Sequence, residues 1–170
     1  IVQQLSAFAP EMIILSDQAE SPLHDLYLEL QESYQDQTYQ AFIGDVRDRG
    51  RMELLFETYH PHFVYHAAAY KHVPMMENNP VEAVRTNVLG TCVIADLSVK
   101  FKVEKFVMVS TDKAVNPTNV MGASKRIAEI YVQSFYHHLK QKALNVKGLK
   151  EPVYTRFITT RFGNVLGSNG

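Results

Sequence analysis

The segment KFVMVSTDKA, at positions 105–114, gives the clearest indication of the fold of this chain. Its apolar run from Phe106 to Val109 is typical of a buried strand in a parallel sheet, and a strand is predicted over residues 105–110. The polar residues Thr111, Asp112 and Lys113 follow at once. Because ligands bind beyond the carboxyl ends of the strands in such sheets, these side chains mark a candidate site.

Outward from this segment, strands and helices alternate along the whole chain. Further strands are predicted at residues 12–15, 40–44, 63–66 and 153–160. Helices are predicted at the start of the chain and at residues 22–35, 49–59, 80–100 and 117–140. The last helix is expected to carry one apolar face, formed by Ala123, Ile127, Tyr131, Phe135 and Leu139. This alternation predicts parallel βαβ units and therefore an α/β fold with a doubly wound, Rossmann-like parallel sheet.

The composition excludes several classes of protein. With 170 residues, 46% of them hydrophobic, the chain has the length of about one domain and can bury a core. Its net charge of −1 provides no electrostatic surface for nucleic acid. No apolar run in the sequence approaches the roughly 18 residues that cross a bilayer. Cys92 is the only cysteine, which excludes an internal disulfide and fits a reducing compartment, so we expect a cytoplasmic location.

The seven histidines do not predict a metal site. His60 and His62 flank a proline, and His137 and His138 are adjacent on a predicted helix, where neighbouring side chains point apart. No third ligand stands at the spacing of a zinc site. We therefore expect no bound metal.

Both ends of the sequence indicate a piece of a longer protein. The chain begins inside a predicted helix and ends in a loop-like run at 167–170, and it lacks the G-x-G-x-x-G loop that binds pyrophosphate in this fold. We expect residues 1–170 to be a partial dinucleotide-binding domain without its first strand and glycine-rich loop. The substrate-binding lobe is expected mostly beyond residue 170. The strands at 12–15 and 63–66 are then expected not to form one continuous sheet; direct pairing of the two, together with tight NAD binding, would mean that the domain starts elsewhere.

Small and polar residues gather at the ends of all five predicted strands. They are Ser16-Asp17, Asp45-Val46, Ala67-Ala68-Ala69, Ser110 to Lys113 and Arg161 to Asn164. Met121 and Lys125 follow the fourth of these ends and are four residues apart, so they share a helix face. We predict that Asp112, Lys113, Met121 and Lys125 converge on one crevice.

Three stretches carry a resemblance to a known family. They are FVYHAAAYKHVPMMENN at 63–79, VSTDKAVNPTNVMGASKR at 109–126 and RFGNVLGSNG at 161–170. The chain resembles the extended short-chain dehydrogenase/reductase superfamily and, within it, the bacterial UDP-N-acetylglucosamine 4,6-dehydratases of capsule, O-antigen and other polysaccharide biosynthesis. The resemblance implies a lyase in which a nicotinamide cofactor takes hydride from C4 of the sugar. Water then leaves across C5 and C6, and the hydride returns to C6.

The resemblance assigns catalytic roles to five residues. Protonated Asp112 would give a proton to the departing C6 hydroxyl, and neutral Lys113 would take the C5 proton. Lys125 would orient the nicotinamide ribose. Met121 stands where most of the superfamily has the tyrosine that takes the C4 hydroxyl proton, and a thioether cannot accept a proton. Thr111, Lys125 or a water that they hold are the candidates for that base, while the plainer interpretation of Asp112 and Lys113 is a surface ion pair.

The resemblance also implies a set of cofactor-binding residues. Asp17 would bond ribose hydroxyls and repel a 2′-phosphate, which favours NAD over NADP. Asp45 and Val46 would flank the adenine, although both fit an ordinary turn. The dinucleotide would pass over small residues, and Asn87, unusual inside a helix, would bond the neighbouring strand or a catalytic water. The small residues are Ala67, Ala68 and Ala69, which also fit tight packing between strand and helix.

The expected ligand besides the cofactor is a UDP-sugar. Lys71 and His72 follow the small residues as contacts to substrate or cofactor, and Asn164 is expected to meet the nucleotide-sugar. The resemblance implies a homo-oligomer for the full-length protein and leaves open a membrane anchor in an N-terminal region outside this sequence.

Two other functions stay open from the sequence. A noncatalytic dinucleotide- or nucleotide-sugar-binding module is suggested by Met121 and by the lack of the glycine loop. An epimerase or reductase of the same superfamily is the other alternative. Lys113 after Asp112 disfavours an epimerase, because epimerisation at C4 needs no base at C5.

Overall fold

The described part of the chain comprises residues 1–144 and 154–163 of a computed structural model. It divides into two units, Ile1–Asp45 and Val46–Gly170, which are described separately. Every strand pairing in both units is parallel, which confirms the predicted α/β class.

The first unit is one β-α-β element preceded by a short helix. Its elements are α1 (Val2–Ser6), β1 (Ile13–Asp17), α2 (Glu20–Ser33) and β2 (Tyr39–Ile43). Strand β1 pairs with β2 from Ile13 opposite Tyr39 to Asp17 opposite Ile43. The core forms because leucines at helical spacing on α2 pack on the strands; its buried members are Leu15, Leu23, Leu30 and Tyr39.

The second unit contains a three-stranded sheet in the order β3-β4-β5. Its elements are α3 (Arg49–Tyr59), β3 (Phe63–His66), α4 (Val73–Asn78), α5 (Pro80–Ala83), α6 (Thr91–Lys100), β4 (Lys105–Thr111), α7 (Val120–Leu144) and β5 (Arg156–Phe162). The central strand β4 buries Phe106, Met108 and Ser110 on one face. Because β4 lies between β3 and β5, its carboxyl end, with Thr111, is at the middle of the sheet edge.

The predicted helix at 80–100 is interrupted. Between α5 and α6 the backbone forms a π-helical turn over Val84–Gly90, in which Thr86, Asn87 and Val88 are buried. The sequence pattern did not predict this turn or the helix α4 before it. Wider π-helical turns often mark functional sites because they change which side chains face inward.

The helix α7 begins and packs differently from the prediction. It starts at Val120 instead of residue 117, because the Asn119 side chain accepts a hydrogen bond from the Gly122 amide at 2.7 Å and caps the helix. On the predicted apolar face, Ile127 is half exposed, whereas the other four residues, Ala123, Tyr131, Phe135 and Leu139, are partly buried. The buried positions are Met121, Gly122, Ser124, Lys125, Ala128, Glu129 and Val132.

The ends of the predicted strands shift by a few residues. Strand β5 runs to Phe162 instead of residue 160, and residue 153, where it was predicted to begin, lies outside the described residues. Among the described strands, β1 has only β2 as a hydrogen-bonded neighbour and β3 only β4. The direct pairing of β1 with β3, which would have placed the start of the domain elsewhere, is therefore not observed.

Candidate active site

The carboxyl ends of β3, β4 and β5 form one edge of the sheet in the second unit. Ser110 lies opposite Arg161, and Thr111 lies opposite Phe162, in the parallel register of β4 and β5. An added Cβ on Gly163, the residue that follows β5, would lie 3.7 Å from an Asp112 carboxylate oxygen. The end of β5 therefore borders the polar turn that follows β4.

That polar turn is a single 3₁₀ turn over Asp112–Ala114, held at its start by Thr111. The Thr111 hydroxyl donates to Asp112 Oδ1 at 2.9 Å and accepts from the Lys113 amide at 3.3 Å. Lys113 Nζ lies 3.3 Å from the same Asp112 oxygen, and both side chains are exposed. Hydrogen bonds from Thr111 and Lys113 hold the pKa of Asp112 below its usual value. The resting pair is a carboxylate and an ammonium, the ion pair that the sequence left as the plainer interpretation.

Lys125 is brought to the same strand from α7. Its ammonium donates to the Val109 carbonyl at 2.8 Å, and the residue is only 5% exposed. Burial lowers its pKa to about 8, against the opposing effect of Glu129. A measurable fraction of Lys125 is therefore neutral near physiological pH.

Close packing joins α7 to the polar turn. An added Cβ on Gly122 would stand 2.4 Å from the Lys113 carbonyl oxygen, so only glycine fits there. Met121, next to it, is buried in an apolar cluster with Met76 and Ala83. The structure therefore brings Asp112 and Lys113 to the exposed surface of the site, while Met121 and Lys125 lie beneath it.

Asn87 bridges two elements of the site from the π-helical turn. Its Oδ1 accepts from the Tyr70 amide at 2.8 Å, and its Nδ2 donates to the Tyr70 carbonyl at 3.0 Å and to Ser124 Oγ at 2.9 Å. Both amide hydrogens are thus used within the protein. Asn87 thus joins the segment after β3 to α7. Of the roles expected for it, these hydrogen bonds are those of a structural link to a neighbouring segment.

His66, at the end of β3, was not singled out in the sequence. It is buried, and its Nε2 lies 2.9 Å from Thr91 Oγ1, which itself donates to the Asn87 carbonyl. Since the Thr91 proton is used in that second bond, His66 Nε2 carries the hydrogen that Thr91 accepts. Burial, helped by the charge of Lys125, lowers the pKa of His66 to about 3.

Glu129 and Arg161 form a second feature that the sequence reasoning missed as a unit. Glu129 is fully buried on α7, one turn after Lys125. Arg161 donates to its two oxygens through Nε at 2.9 Å and Nη2 at 2.7 Å, and Arg126 donates at 3.0 Å. Burial raises the pKa of Glu129, but these arginine hydrogen bonds outweigh it and hold the pKa below its usual value. The signal in the sequence that could have indicated Glu129 was its four-residue spacing from Lys125, which places both on one helix face.

The residues after β3 present an open surface. Ala67 and Ala68 are exposed and Ala69 is half-buried, so tight packing does not account for the first two. Lys71 and His72 are exposed as well. Asn164, the expected sugar contact, lies outside the described residues.

The remaining predicted cofactor residues lie at the ends of β1 and β2. In the first unit Asp17 is exposed and accepts a hydrogen bond from the Ala19 amide at 2.9 Å, while Asp45 is half-buried. Val46 belongs to the second unit, where its methyl group would be 2.7 Å from an added Cβ on Gly90. Val46 therefore packs against the backbone of the π-helical turn.

Two findings on the described residues concern metals and membranes. No group of three histidine, cysteine, aspartate or glutamate side chains in the described segments is arranged to hold a metal ion. Within the same segments, no helix has the length and apolar character that spanning a membrane requires.

Comparison with known proteins gives a family and several relatives. A family model described as "Polysaccharide biosynthesis protein" matches residues 1–170. The probable polysaccharide biosynthesis protein EpsC of Bacillus subtilis is 44% identical over all of this chain, which covers 26% of EpsC. A Campylobacter jejuni UDP-N-acetylglucosamine 4,6-dehydratase (inverting) is 37% identical over 98% of the chain, which covers 45% of that enzyme. The chain thus spans between about a quarter and a half of these relatives.

The chain is also similar to an epimerase and to a protein of known structure. A UDP-glucose 4-epimerase of Rickettsia canadensis is 41% identical over 76% of the chain, which covers 34% of that enzyme. The X-ray structure of Pen from Bacillus thuringiensis superposes with a TM-score of 0.82 at 32% identity, over 99% of this chain and 47% of Pen.

Proposed function

Because the chain belongs to the polysaccharide biosynthesis protein family, we propose that it forms the catalytic core of a nucleotide-sugar 4,6-dehydratase of the UDP-N-acetylglucosamine type. The observation that carries this proposal is the Thr111-Asp112-Lys113 turn at the end of β4, beside buried Lys125. Residues 1–170 are proposed as part of the dinucleotide-binding domain of the full-length enzyme.

The contact between Lys113 and Asp112 supports the dehydration step. Transfer of one proton across the 3.3 Å contact converts the resting ion pair into neutral Lys113 and protonated Asp112. These are the two states that the reaction requires: Lys113 takes the C5 proton, and Asp112 donates to the leaving C6 hydroxyl. After water leaves, Lys113 is an ammonium and Asp112 a carboxylate, so elimination restores the ion pair. A bound sugar would exclude water from the exposed pair, which favours its neutral form beforehand.

The base for the C4 hydroxyl is proposed among Thr111, Lys125 and a water that they hold. Met121 has no basic atom and packs in the apolar cluster. The Thr111 hydroxyl donates to Asp112 at 2.9 Å, so a C4 proton held by Lys125 or by the water can pass through Thr111 to Asp112 once Asp112 has given its own proton to the C6 hydroxyl. Lys125, with a pKa of about 8, is the second candidate.

The cofactor is proposed to be NAD or NADP, which supplies hydride uptake at C4 and hydride return at C6. The exposed, small Ala67 and Ala68 beyond β3 leave room for a dinucleotide on the sheet edge. Lys125 would orient the nicotinamide ribose, and Asp17 favours NAD because a carboxylate repels a 2′-phosphate. Asp45 and Val46 are proposed for the adenine.

The substrate is proposed to be a UDP-sugar, contacted by Lys71, His72 and Asn164. The first two are exposed after β3, on the side of the sheet where Asp112 and Lys113 lie. A homo-oligomer remains a prediction from the family resemblance, and a cytoplasmic site of action remains a prediction from the single cysteine.

A nucleotide-sugar epimerase is the second candidate function. It is favoured by the 41% identity with the Rickettsia epimerase over three quarters of the chain. The adjacent Asp112 and Lys113 favour the dehydratase, because an epimerase has no need for an acid and a base at C6 and C5.

The product formed by the full-length protein tests the proposal. We would incubate it with UDP-N-acetylglucosamine and NAD or NADP in deuterated water and analyse the sugar by NMR. A 4-keto-6-deoxy product with deuterium at C5 is expected. A C4 epimer with no loss of water would establish the epimerase instead, and unchanged sugar that nevertheless binds would establish a noncatalytic binding module.

A further inference from the structure

Glu129 is a buried carboxylate held by two arginines from different elements. It is inaccessible to solvent on α7, and Arg161 of β5 reaches both of its oxygens in a forked contact. Arg126, in the neighbouring turn of α7, donates to Oε2. Forked arginine–carboxylate pairs fix orientation as well as distance. The carboxyl end of β5 is thus fixed to α7 at one point.

The fixed end of β5 borders the proposed catalytic turn. Arg161 lies beside Ser110 in the strand register, and Gly163 follows two residues later, where an added Cβ would lie 3.7 Å from an Asp112 carboxylate oxygen. A change in the Arg161 contact would therefore move the backbone that lines one side of Asp112.

Glu129 also supports the charge of Lys125. The groups around Lys125 are the Val109 carbonyl of β4, neutral His66 of β3 and Glu129 of its own helix, with Arg161 of β5 and Arg126 behind Glu129. Among these, Glu129 is the anion that opposes the effect of burial on the Lys125 pKa. Without it, burial would favour neutral Lys125 unopposed.

We propose that Glu129 is a positioning residue, which holds the end of β5 to α7 through the forked contact with Arg161 and acts as a buried anion on Lys125, one helical turn away. The role of Glu129 in catalysis rests on the proposed function. The arrangement itself can be tested without any sugar or cofactor.

The effect of Glu129 on Lys125 is tested by titrating Lys125 in the full-length protein. Trace labelling with acetic anhydride across pH, followed by peptide mass spectrometry, gives the midpoint at which this amine becomes neutral. In Glu129→Gln we expect the midpoint to fall by about one unit or more. Glu82→Gln is the matched control, because Glu82 also holds two arginines, Arg47 and Arg85, but on the surface. An unchanged or raised midpoint in Glu129→Gln would overturn the proposal.

Arg126→Gln keeps the test valid if Glu129→Gln does not fold. The Arg126 side chain is partly exposed, and its removal leaves the Arg161 fork in place. Because Arg126 then no longer compensates the Glu129 carboxylate, that anion acts more strongly on Lys125, and the Lys125 midpoint should rise. A midpoint equal to that of the unmodified protein would contradict the role of Glu129.

The contact between Arg161 and Glu129 is tested with Arg161→Lys, which keeps the positive charge but cannot donate to both carboxylate oxygens in the same forked geometry. Hydrogen exchange at residues 160–163 should be faster in this variant, while the Lys125 midpoint stays nearly constant. Exchange at the rate of the unmodified protein would show that the fork does not hold the end of β5. A protein that shows both effects but fails to dehydrate the sugar would refute the proposed function alone.

Discussion

Lys113 is the residue on which the proposed chemistry depends most directly. Replacing it with alanine should lower dehydration by about 10²–10⁴-fold, because the C5 proton loses its base, while cofactor binding is spared. Exchange of solvent deuterium into C5 of UDP-N-acetylglucosamine measures this step by itself. Lys105→Ala is the matched control, because Lys105 begins the same strand at the opposite edge of the sheet. Deuterium entry at the normal rate in Lys113→Ala would refute the assignment.

His66 should make the second unit sensitive to acid. Its pKa is about 3 in the fold and about 6.5 in an unfolded chain, so between these values the unfolded state binds more protons. Stability therefore rises with pH through this window and is lost as pH falls below about 6.5. Between pH 7 and pH 5 the loss is about 2 kcal/mol.

Urea unfolding at several pH values measures this contribution. His66→Gln, which keeps a hydrogen-bond donor for Thr91, should lack the part of the loss that the native protein shows between pH 7 and pH 5. His62→Gln is the control, because His62 is exposed. Equal slopes for the native protein and His66→Gln would mean that His66 is not held neutral.

At the scale of elements, the contact between α7 and the 3₁₀ turn is the closest in the site. Gly122→Ala places a methyl group where only 2.4 Å separates it from the Lys113 carbonyl, so the helix or the turn must move. We expect a loss of about 1–3 kcal/mol in the free energy of unfolding and a loss of activity. Gly50→Ala in α3 is the control, because its Cβ has an ordinary contact of 3.6 Å. A Gly122→Ala protein as stable and active as Gly50→Ala would contradict this packing.

The π-helical turn carries a prediction of its own through Asn87. Asn87→Ala removes three hydrogen bonds that join the segment after β3 to α7. We expect a cost of about 2 kcal/mol or more in thermal unfolding, because buried partners at Tyr70 and Ser124 lose their bonds. Asn78→Ala removes one exposed bond to Pro74 and should change stability little. Similar melting temperatures for the two variants would show that Asn87 is not a structural bridge.

At the scale of the whole molecule, the strands differ in how many neighbours they have. Strand β4 is paired on both sides, whereas β1 pairs with β2 alone among the described strands. In the 170-residue chain, hydrogen exchange should therefore be faster in β1 and β2 than in β4. Mass spectrometry of peptides from each strand measures this difference.

The same measurement on the full-length protein tests the expected upstream strand. If that strand pairs with β1, protection of residues 13–17 should increase relative to the 170-residue chain, while β4 serves as the internal reference. Protection of β1 equal to that of β4 in the 170-residue chain would contradict the expectation that this fold lacks a strand beside it.

The class of fold, and the position of Asp112 and Lys113 at a sheet edge, can be inferred from neighbouring residues in the chain. Short apolar runs alternating with helical spacings require parallel strands, and polar residues directly after a strand must lie at the sheet edge. Segment 105–114 therefore predicted both β4 and the exposed Asp112–Lys113 turn. These inferences hold because each depends on neighbouring residues in the chain.

Which polar side chains are buried depends on contacts that form only in the folded chain. Ile127 fits the helical apolar pattern yet is exposed, while Lys125 and Glu129 are buried because Val109 and Arg161, from other strands, satisfy their polar atoms. The π-helical turn at Asn87 likewise depends on partners at Tyr70 and Ser124. Periodicity assigns burial from hydrophobicity alone, but the cost of burying a charge depends on partners that are distant in sequence and meet only in the folded chain.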